Sequence, residues 1–350
     1  MMTFENRIVQ EDLKGIISAS YLNLEKLRGK TILITGVSGM LATYLAYTIY
    51  YLNIHENFQT KIIGTARNME KATAKFQNLS KEYFELIQHD VTEPLEYEGA
   101  IDYIIHAASN ASPKFISTDP VGIIKANTLG TMNLLELSRK KTIQNFLFLS
   151  TREIYGKSIK NSLTEQDYGG FDILSPRACY PESKRMAETL LESYAVQYKI
   201  PYTIARIAHS YGPGMEVNND GRIMSDLISN VVNSEDIILK SEGTAERAFC
   251  YLSDATTALL TILLNGDSGQ AYNVANEDEP IQIRELAQKL VTLLPEKGLK
   301  VKFDIPKSQS TAYSTDGRTV MDMSKIEKLG WQRVVTLDSG LKKTIESFEP

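Results

Sequence analysis

The chain has 350 residues, 43% of them hydrophobic and 23% charged, with a net charge of −5 and a pI near 5.6. That length admits one large domain or two closely joined ones, and the acidic balance argues against a general nucleic-acid binder. Cys179 and Cys250 cannot build a disulfide framework and fit a reducing cytoplasm, and no metal-ligand spacing links them to the four histidines.

Residues 1–28 carry Glu5, Glu11, Asp12 and Glu25 among their apolar positions. This argues against a signal peptide and predicts a short helical extension packed through Leu13, Ile16, Ile17 and Leu22. The run Thr31-Ile32-Leu33-Ile34-Thr35 predicts a strand. It leads at once into Gly36-Val37-Ser38-Gly39-Met40-Leu41-Ala42 and an apolar helix. The stretch Met40 to Leu52 is too short for a membrane span and is interrupted by Thr43 and Thr48, so it reads as a buried helix. Strand, glycine turn and helix together present backbone N–H groups and a helix N-terminus to a phosphate. Gly36 permits the turn, Gly39 close approach and Ala42 tight packing. Gly36, Ser38, Gly39, Met40 and Leu41 are therefore candidate dinucleotide contacts.

The run Lys61 to Asn68 predicts a second strand, with Arg67 near its end, where an acid would normally hold the adenine ribose. Arg67 either contacts a 2′-phosphate, which would make NADP the cofactor, or is simply solvated. A third strand ends near Asp90 and Val91, a plausible edge for the adenine. A fourth, Ile101 to Ile105, ends in His106-Ala107-Ala108-Ser109, small residues where a dinucleotide would cross the sheet. His106 reads as a hydrogen-bonded structural residue. The helix Val121 to Ser138 and the strand Phe146 to Leu149 continue the alternation, which predicts a Rossmann-type, doubly wound parallel α/β sheet with its ligands at the strands' C-terminal ends.

Thr151 and Glu153 fall at such an end. Tyr180 and Lys184, four apart in a helix-compatible stretch, place phenol and ammonium on neighbouring turns. A nearby ammonium favours the phenolate, so a group with a free pKa of about 10 can trade a proton near neutral pH. After the strand Tyr202 to Ile207, shorter elements predict a smaller substrate-binding lobe over residues 208–350, with residues about 245–275 returning to the dinucleotide domain of residues 29–207. Arg247 is either a ligand-phosphate contact or a surface ion pair. Leu286 to Leu294 and Met323 to Leu329 predict small amphipathic helices, the second packed by Trp331.

The glycine turn, Ser150-Thr151 and the Tyr180–Lys184 pair resemble the extended short-chain dehydrogenase/reductases, the nucleotide-sugar epimerases and dehydratases. Within that group the chain is most similar to the UDP-glucuronate decarboxylases. The resemblance is carried by His106 to Ser109 with Ala111-Ser112-Pro113, by Arg177 to Tyr180 with Lys184-Arg185, by Asn219 to Arg222, and by Arg247-Ala248-Phe249 with Tyr251 and Ser253-Asp254.

The resemblance implies a retained NAD that is reduced and reoxidised within one turnover, a nucleotide-diphosphate sugar substrate, a role in polysaccharide biosynthesis, and a homodimer built on the helices near Val121 and Pro181. It implies that Tyr180 takes the sugar 4-hydroxyl proton, Lys184 supports it and holds the nicotinamide ribose, Thr151 bonds the same sugar oxygen, and Glu153 acts at C5. Ala107, Ala108 and Ser109 would line the cofactor; Ser112, Arg152, His209, Arg222 and Arg247 would face the substrate. Three positions depart from the decarboxylase pattern: Arg152 stands for Ser, His209 for Asn and Gly214 for Arg. Arg152 cannot serve as a general acid at pH 7, which counts against 4,6-dehydration of a dTDP- or CDP-glucose. UDP-glucuronate decarboxylation is the expected reaction. C4 epimerisation, an NADPH-consuming keto-sugar reductase and a non-catalytic cofactor-binding regulator are the alternatives.

Overall fold

The computed structural model describes residues 2–157, 160–217, 220–305 and 318–349. Seven strands form the central sheet: β1 (Thr31–Thr35), β2 (Lys61–Ala66), β3 (Phe84–Gln88), β4 (Tyr103–His106), β5 (Asn145–Thr151), β6 (Tyr202–Ile207) and β7 (Gln270–Val274). Their order is β3-β2-β1-β4-β5-β6-β7, and every neighbouring pair is parallel. The order reverses between β1 and β4, which opens a crevice at their C-terminal ends.

The strands are apolar throughout because both faces are covered. Alternate side chains divide between two cores. Ile32, Ile34, Ile62, Ile105 and Leu147 enter one, and Leu33, Ile63, Ile104, Phe146 and Phe148 the other. The first is closed by α2 (Met40–Glu56) and α8 (Leu252–Asn265), the second by α5 (Pro120–Arg139) and α6 (Cys179–Tyr198). Helix α2 is buried around almost its whole circumference, since α1 (Arg7–Ile17) covers the side turned away from the sheet. Asn6 caps α1 through bonds from the Ile8 and Val9 amides, and Leu13 and Ile16 are buried as the apolar spacing predicts.

A separate apolar cluster joins α7 (Ile223–Val232), α9 (Ile283–Leu293) and α11 (Leu337–Glu346) around Tyr211, Phe249 and Tyr251. At the start of α9 the Glu285 carboxylate reaches back to accept from the Gln282 amide at 3.3 Å. The Met323–Leu329 stretch holds a single helical turn, Ser324–Glu327. Trp331 lies in the same core as that turn but donates its indole N–H to the Asp254 carbonyl and to Thr257 on α8, each at 3.1 Å. Among the described residues no helix is long and apolar enough to cross a membrane.

Candidate active site

Gly36 leaves β1 with φ +64°, and a Cβ there would lie 2.7 Å from the Ala108 Cα. The glycine turn thus rests directly on Ala107-Ala108 at the end of β4. Gly39 is the N-cap of α2, and no side chain caps that terminus. Met40 and Leu41 form its half-buried first turn. Ser38 turns its carbonyl away from the crevice to accept from the Lys75 ammonium at 2.8 Å. Ser109 keeps a buried hydroxyl without a protein partner. An uncapped helix N-terminus, a turn with no room for a side chain and an orphaned hydroxyl fit a bound dinucleotide.

Arg67 projects from the end of β2, exposed, with its guanidinium 3.7 Å from the Asp90 carboxylate. Burial pushes the Asp90 carboxyl up, but bonds from the Thr92 amide and hydroxyl and the Arg67 charge outweigh it and leave it below its ordinary value. Val91 is buried, and its carbonyl accepts from Asn133 of α5. The His106 imidazole bonds Thr35 at 2.8 Å through Nδ1, while its Nε2 is buried and unpartnered. Burial and then the Lys184 charge lower it to about 3, so it is neutral.

Thr151 ends β5, its hydroxyl accepting from the Glu153 amide at 3.2 Å, and Tyr180 lies in the first turn of α6. Both are buried. Burial and the Glu153 charge raise the phenol well above its ordinary value, although Thr151, Arg177 and Arg222 act the other way. Lys184 differs from the sequence expectation. Its ammonium donates to the Leu149 carbonyl at 2.7 Å and lies 4.5 Å from the Phe148 ring centre. A buried ammonium takes the nearest acceptor, here a strand-end carbonyl, and burial lowers it to about 7. Arg177 and Arg222 are cations that favour the Tyr180 phenolate.

Glu153 is not a free carboxylate: Arg177 donates to it at 2.6 Å. Arg152 donates to Nε2 of His209 at 3.0 Å. His209 sits at φ +44° with open surface, yet desolvation by the surrounding protein and the charges of Arg152 and Arg247 push its imidazole down to about 3. Arg247 donates to the Glu246 carbonyl. Ser112 donates to the Asp220 carbonyl at 2.7 Å, and the Asp220 carboxylate pairs with Arg222. Asn219 lies outside the described residues.

Sequence reasoning left two supports unassigned. Glu188 accepts from Ser150 at 2.5 Å and pairs with Arg206 at 2.7 Å, which anchors the ends of β5 and β6 to α6. Lys75 supports the glycine turn from below. A basic residue on the helix after β2 gives no sign of this in the sequence alone. Glu188 sits four residues after Lys184, a helical spacing that could have pointed to it.

A seven-stranded parallel sheet of this order, with a glycine turn after its first strand, is the Rossmann-type dinucleotide fold of the extended short-chain dehydrogenase/reductases. Residues 32–275 match the NAD dependent epimerase/dehydratase family, and the chain belongs to that family. NAD is accordingly its cofactor class. It is 35% identical over 326 residues to UDP-glucuronic acid decarboxylase 1 of Xenopus tropicalis, covering 91% of this chain and 72% of that protein. It is 36% identical over 324 residues to UDP-glucuronic acid decarboxylase 6 of Arabidopsis thaliana, covering 91% and 88%. Among solved structures, the UDP-glucuronic acid 4-epimerase from Bacillus cereus in complex with NAD superposes with a TM-score of 0.73 at 20% identity, covering 91% and 96%, a likeness of fold.

Proposed function

We propose that the chain is an NAD-dependent enzyme that transiently oxidises C4 of a nucleotide-diphosphate sugar, with decarboxylation of UDP-glucuronate as its reaction. The observation that carries this reading is the burial of Tyr180, in the first turn of α6, together with Thr151 at the C-terminal end of β5, where Thr151 acts to lower the phenol. The relatives named above supply the substrate class.

In this reading NAD supplies the acceptor and donor of a hydride. Tyr180 accepts the proton of the sugar 4-hydroxyl, and Thr151 holds the same oxygen. Arg177 and Arg222 favour the phenolate, and Glu153 opposes it. A ketone at C4 places the electrons released by a departing C6 carboxylate into an enolate, and returning the hydride completes a redox-neutral cycle. Glu153 serves the proton exchange at C5, and Lys184 orients the cofactor ribose. Gly36, Ser38, Gly39, Met40, Leu41, Asp90, Val91, Ala107, Ala108 and Ser109 line the dinucleotide. Ser112, Arg222, Arg247 and His209 face the nucleotide sugar, on the side built upon the second apolar cluster of residues 208–350. Arg67, already beside Asp90, favours NAD over NADP.

Arg152 favours a second reading, C4 epimerisation of the same uronate with its carboxylate kept, because an ion-paired carboxylate is harder to expel. Incubation of the protein with NAD⁺ and UDP-glucuronate, followed by NMR of the products, tests both. UDP-xylose and carbon dioxide support decarboxylation, UDP-galacturonate supports epimerisation, and unchanged substrate contradicts both. The chain forms a homodimer in this reading, since Val121 and Ile124 on α5 and Met186 and Val196 on α6 are exposed beside one another's helices. It acts in the cytoplasm on activated sugars destined for polysaccharide.

A further inference from the structure

The arginines around the crevice differ in one respect. Arg177 pairs with Glu153, Arg222 with Asp220, Arg206 with Glu188 and Arg185 with Glu182. Arg152 pairs with no carboxylate among the described residues; its contact is the neutral His209 imidazole at 3.0 Å. A guanidinium carries five N–H donors and keeps its charge at any working pH. One bond to His209 holds the side chain, and among the described residues its charge has no carboxylate partner.

The placement of Arg152 is equally specific. It lies between Thr151 and Glu153 in the short turn that closes β5. Its neighbours are thus the groups assigned to sugar C4 and C5. His209, two residues beyond the C-terminal end of the adjacent, parallel β6, reaches it from 57 residues away in sequence. The His209 backbone is held at φ +44°, a region that most side chains avoid and that persists where surrounding structure enforces it.

We propose that Arg152, docked on His209, holds the C6 carboxylate of the sugar and makes the site selective for a nucleotide-bound hexuronate over the neutral hexose. This rests on the nucleotide-sugar reading above and adds to it the residue that selects the acidic sugar. Arg152 is a substrate-binding residue here, and His209 a positioning residue. The competing occupant for the same cation is the diphosphate, which every nucleotide sugar carries.

Calorimetric titration of the NAD⁺-loaded protein with UDP, UDP-glucose and UDP-glucuronate separates the two, using the wild type, Arg152→Ser, Arg152→Lys and His209→Asn. A thermal melt of each variant first confirms that it is folded. The expected result is that Arg152→Ser weakens UDP-glucuronate by about 10- to 100-fold, the range charge-assisted hydrogen bonds account for, and leaves UDP and UDP-glucose within about twofold. Arg152→Lys should recover part of that loss, and His209→Asn should show a smaller loss confined to UDP-glucuronate. Equal weakening of all three ligands by Arg152→Ser would assign Arg152 to the diphosphate and overturn the proposal, with the nucleotide-sugar reading intact. Unaltered binding of UDP-glucuronate would also overturn it. Failure of the wild type to bind any of the three would overturn the nucleotide-sugar reading and the proposal together.

Discussion

The Arg177 guanidinium donates to the Glu153 carboxylate at 2.6 Å, tying the approach to α6 to the turn after β5. The two residues act on Tyr180 with opposite signs: Glu153 raises its phenol and Arg177 lowers it. C4 oxidation requires the phenol to lose its proton, so the rate of single-turnover NAD⁺ reduction should rise with pH towards the Tyr180 pKa. Glu153→Gln removes a raising charge and should move that limb to lower pH. Arg177→Gln removes a lowering charge and should move it to higher pH. Stopped-flow absorbance at about 340 nm between about pH 6 and 10 measures both. Shifts in the same direction would contradict the arrangement.

Lys184 gives a stability signature in the cofactor-free protein. Burial lowers it from 10.5 to about 7. Between those values the unfolded chain binds the extra proton, so stability rises with pH across that window and the full cost is present below about pH 7. Denaturant unfolding at pH 7 and pH 9 should show the wild type gaining relative to Lys184→Met, by on the order of 2 kcal/mol. A parallel pH response in the two proteins would mean that Lys184 is not buried as a cation-disfavoured group.

Asp12 joins α1 to three other elements. Its buried carboxylate accepts from Tyr44 of α2 at 3.0 Å, from Tyr251 at 2.7 Å and from Lys343 of α11 at 2.7 Å. Removing it leaves a half-buried ammonium and two buried phenols without their acceptor. Asp12→Ala should cost about 3 kcal/mol, while Tyr44→Phe should cost about 1 kcal/mol. Urea unfolding of the three proteins checks the order.

Two glycines provide a matched pair. Gly36→Ala puts a side chain into a left-handed turn against the Ala108 backbone, whereas a Cβ at Gly15 on α1 meets nothing within 4 Å. Gly36→Ala should weaken NAD⁺ binding by at least about 10-fold, and Gly15→Ala should leave it unchanged while adding up to about 1 kcal/mol of stability. Fluorescence titration with NAD⁺ and a thermal melt distinguish the two effects.

The strands were readable because each is a short apolar run broken by glycine, polar or proline residues, and a parallel sheet covered on both faces produces that pattern. The glycine turn was readable because the strand, the two glycines and the apolar helix that form it are consecutive in sequence, although the Ala108 backbone and Lys75 against which it packs are not. What depends on distant partners was not. Lys184 looked committed to Tyr180 by helical spacing, but the acceptor that wins is the Leu149 carbonyl 35 residues away. Trp331 shares the core of the last small helix, as its position in sequence suggested, but the bond of its indole N–H to Asp254 on α8, 77 residues earlier, was not legible. Gly214, where the resemblance expects Arg, lies against Met2: a Cβ there would come within 2.6 Å of the Met2 side chain. Only the packed chain reveals that the segment before α1 occupies this space.

The central claim is that C4 is oxidised and then reduced within one turnover. UDP-glucuronate carrying deuterium at C4 tests it most directly, with the protein, NAD⁺ and product NMR. The account predicts UDP-xylose that retains deuterium at C4 and carries a solvent-derived hydrogen at C5, with no net accumulation of NADH and no turnover by Tyr180→Phe. Product that has lost its C4 deuterium, or NADH that accumulates in step with product, would contradict it.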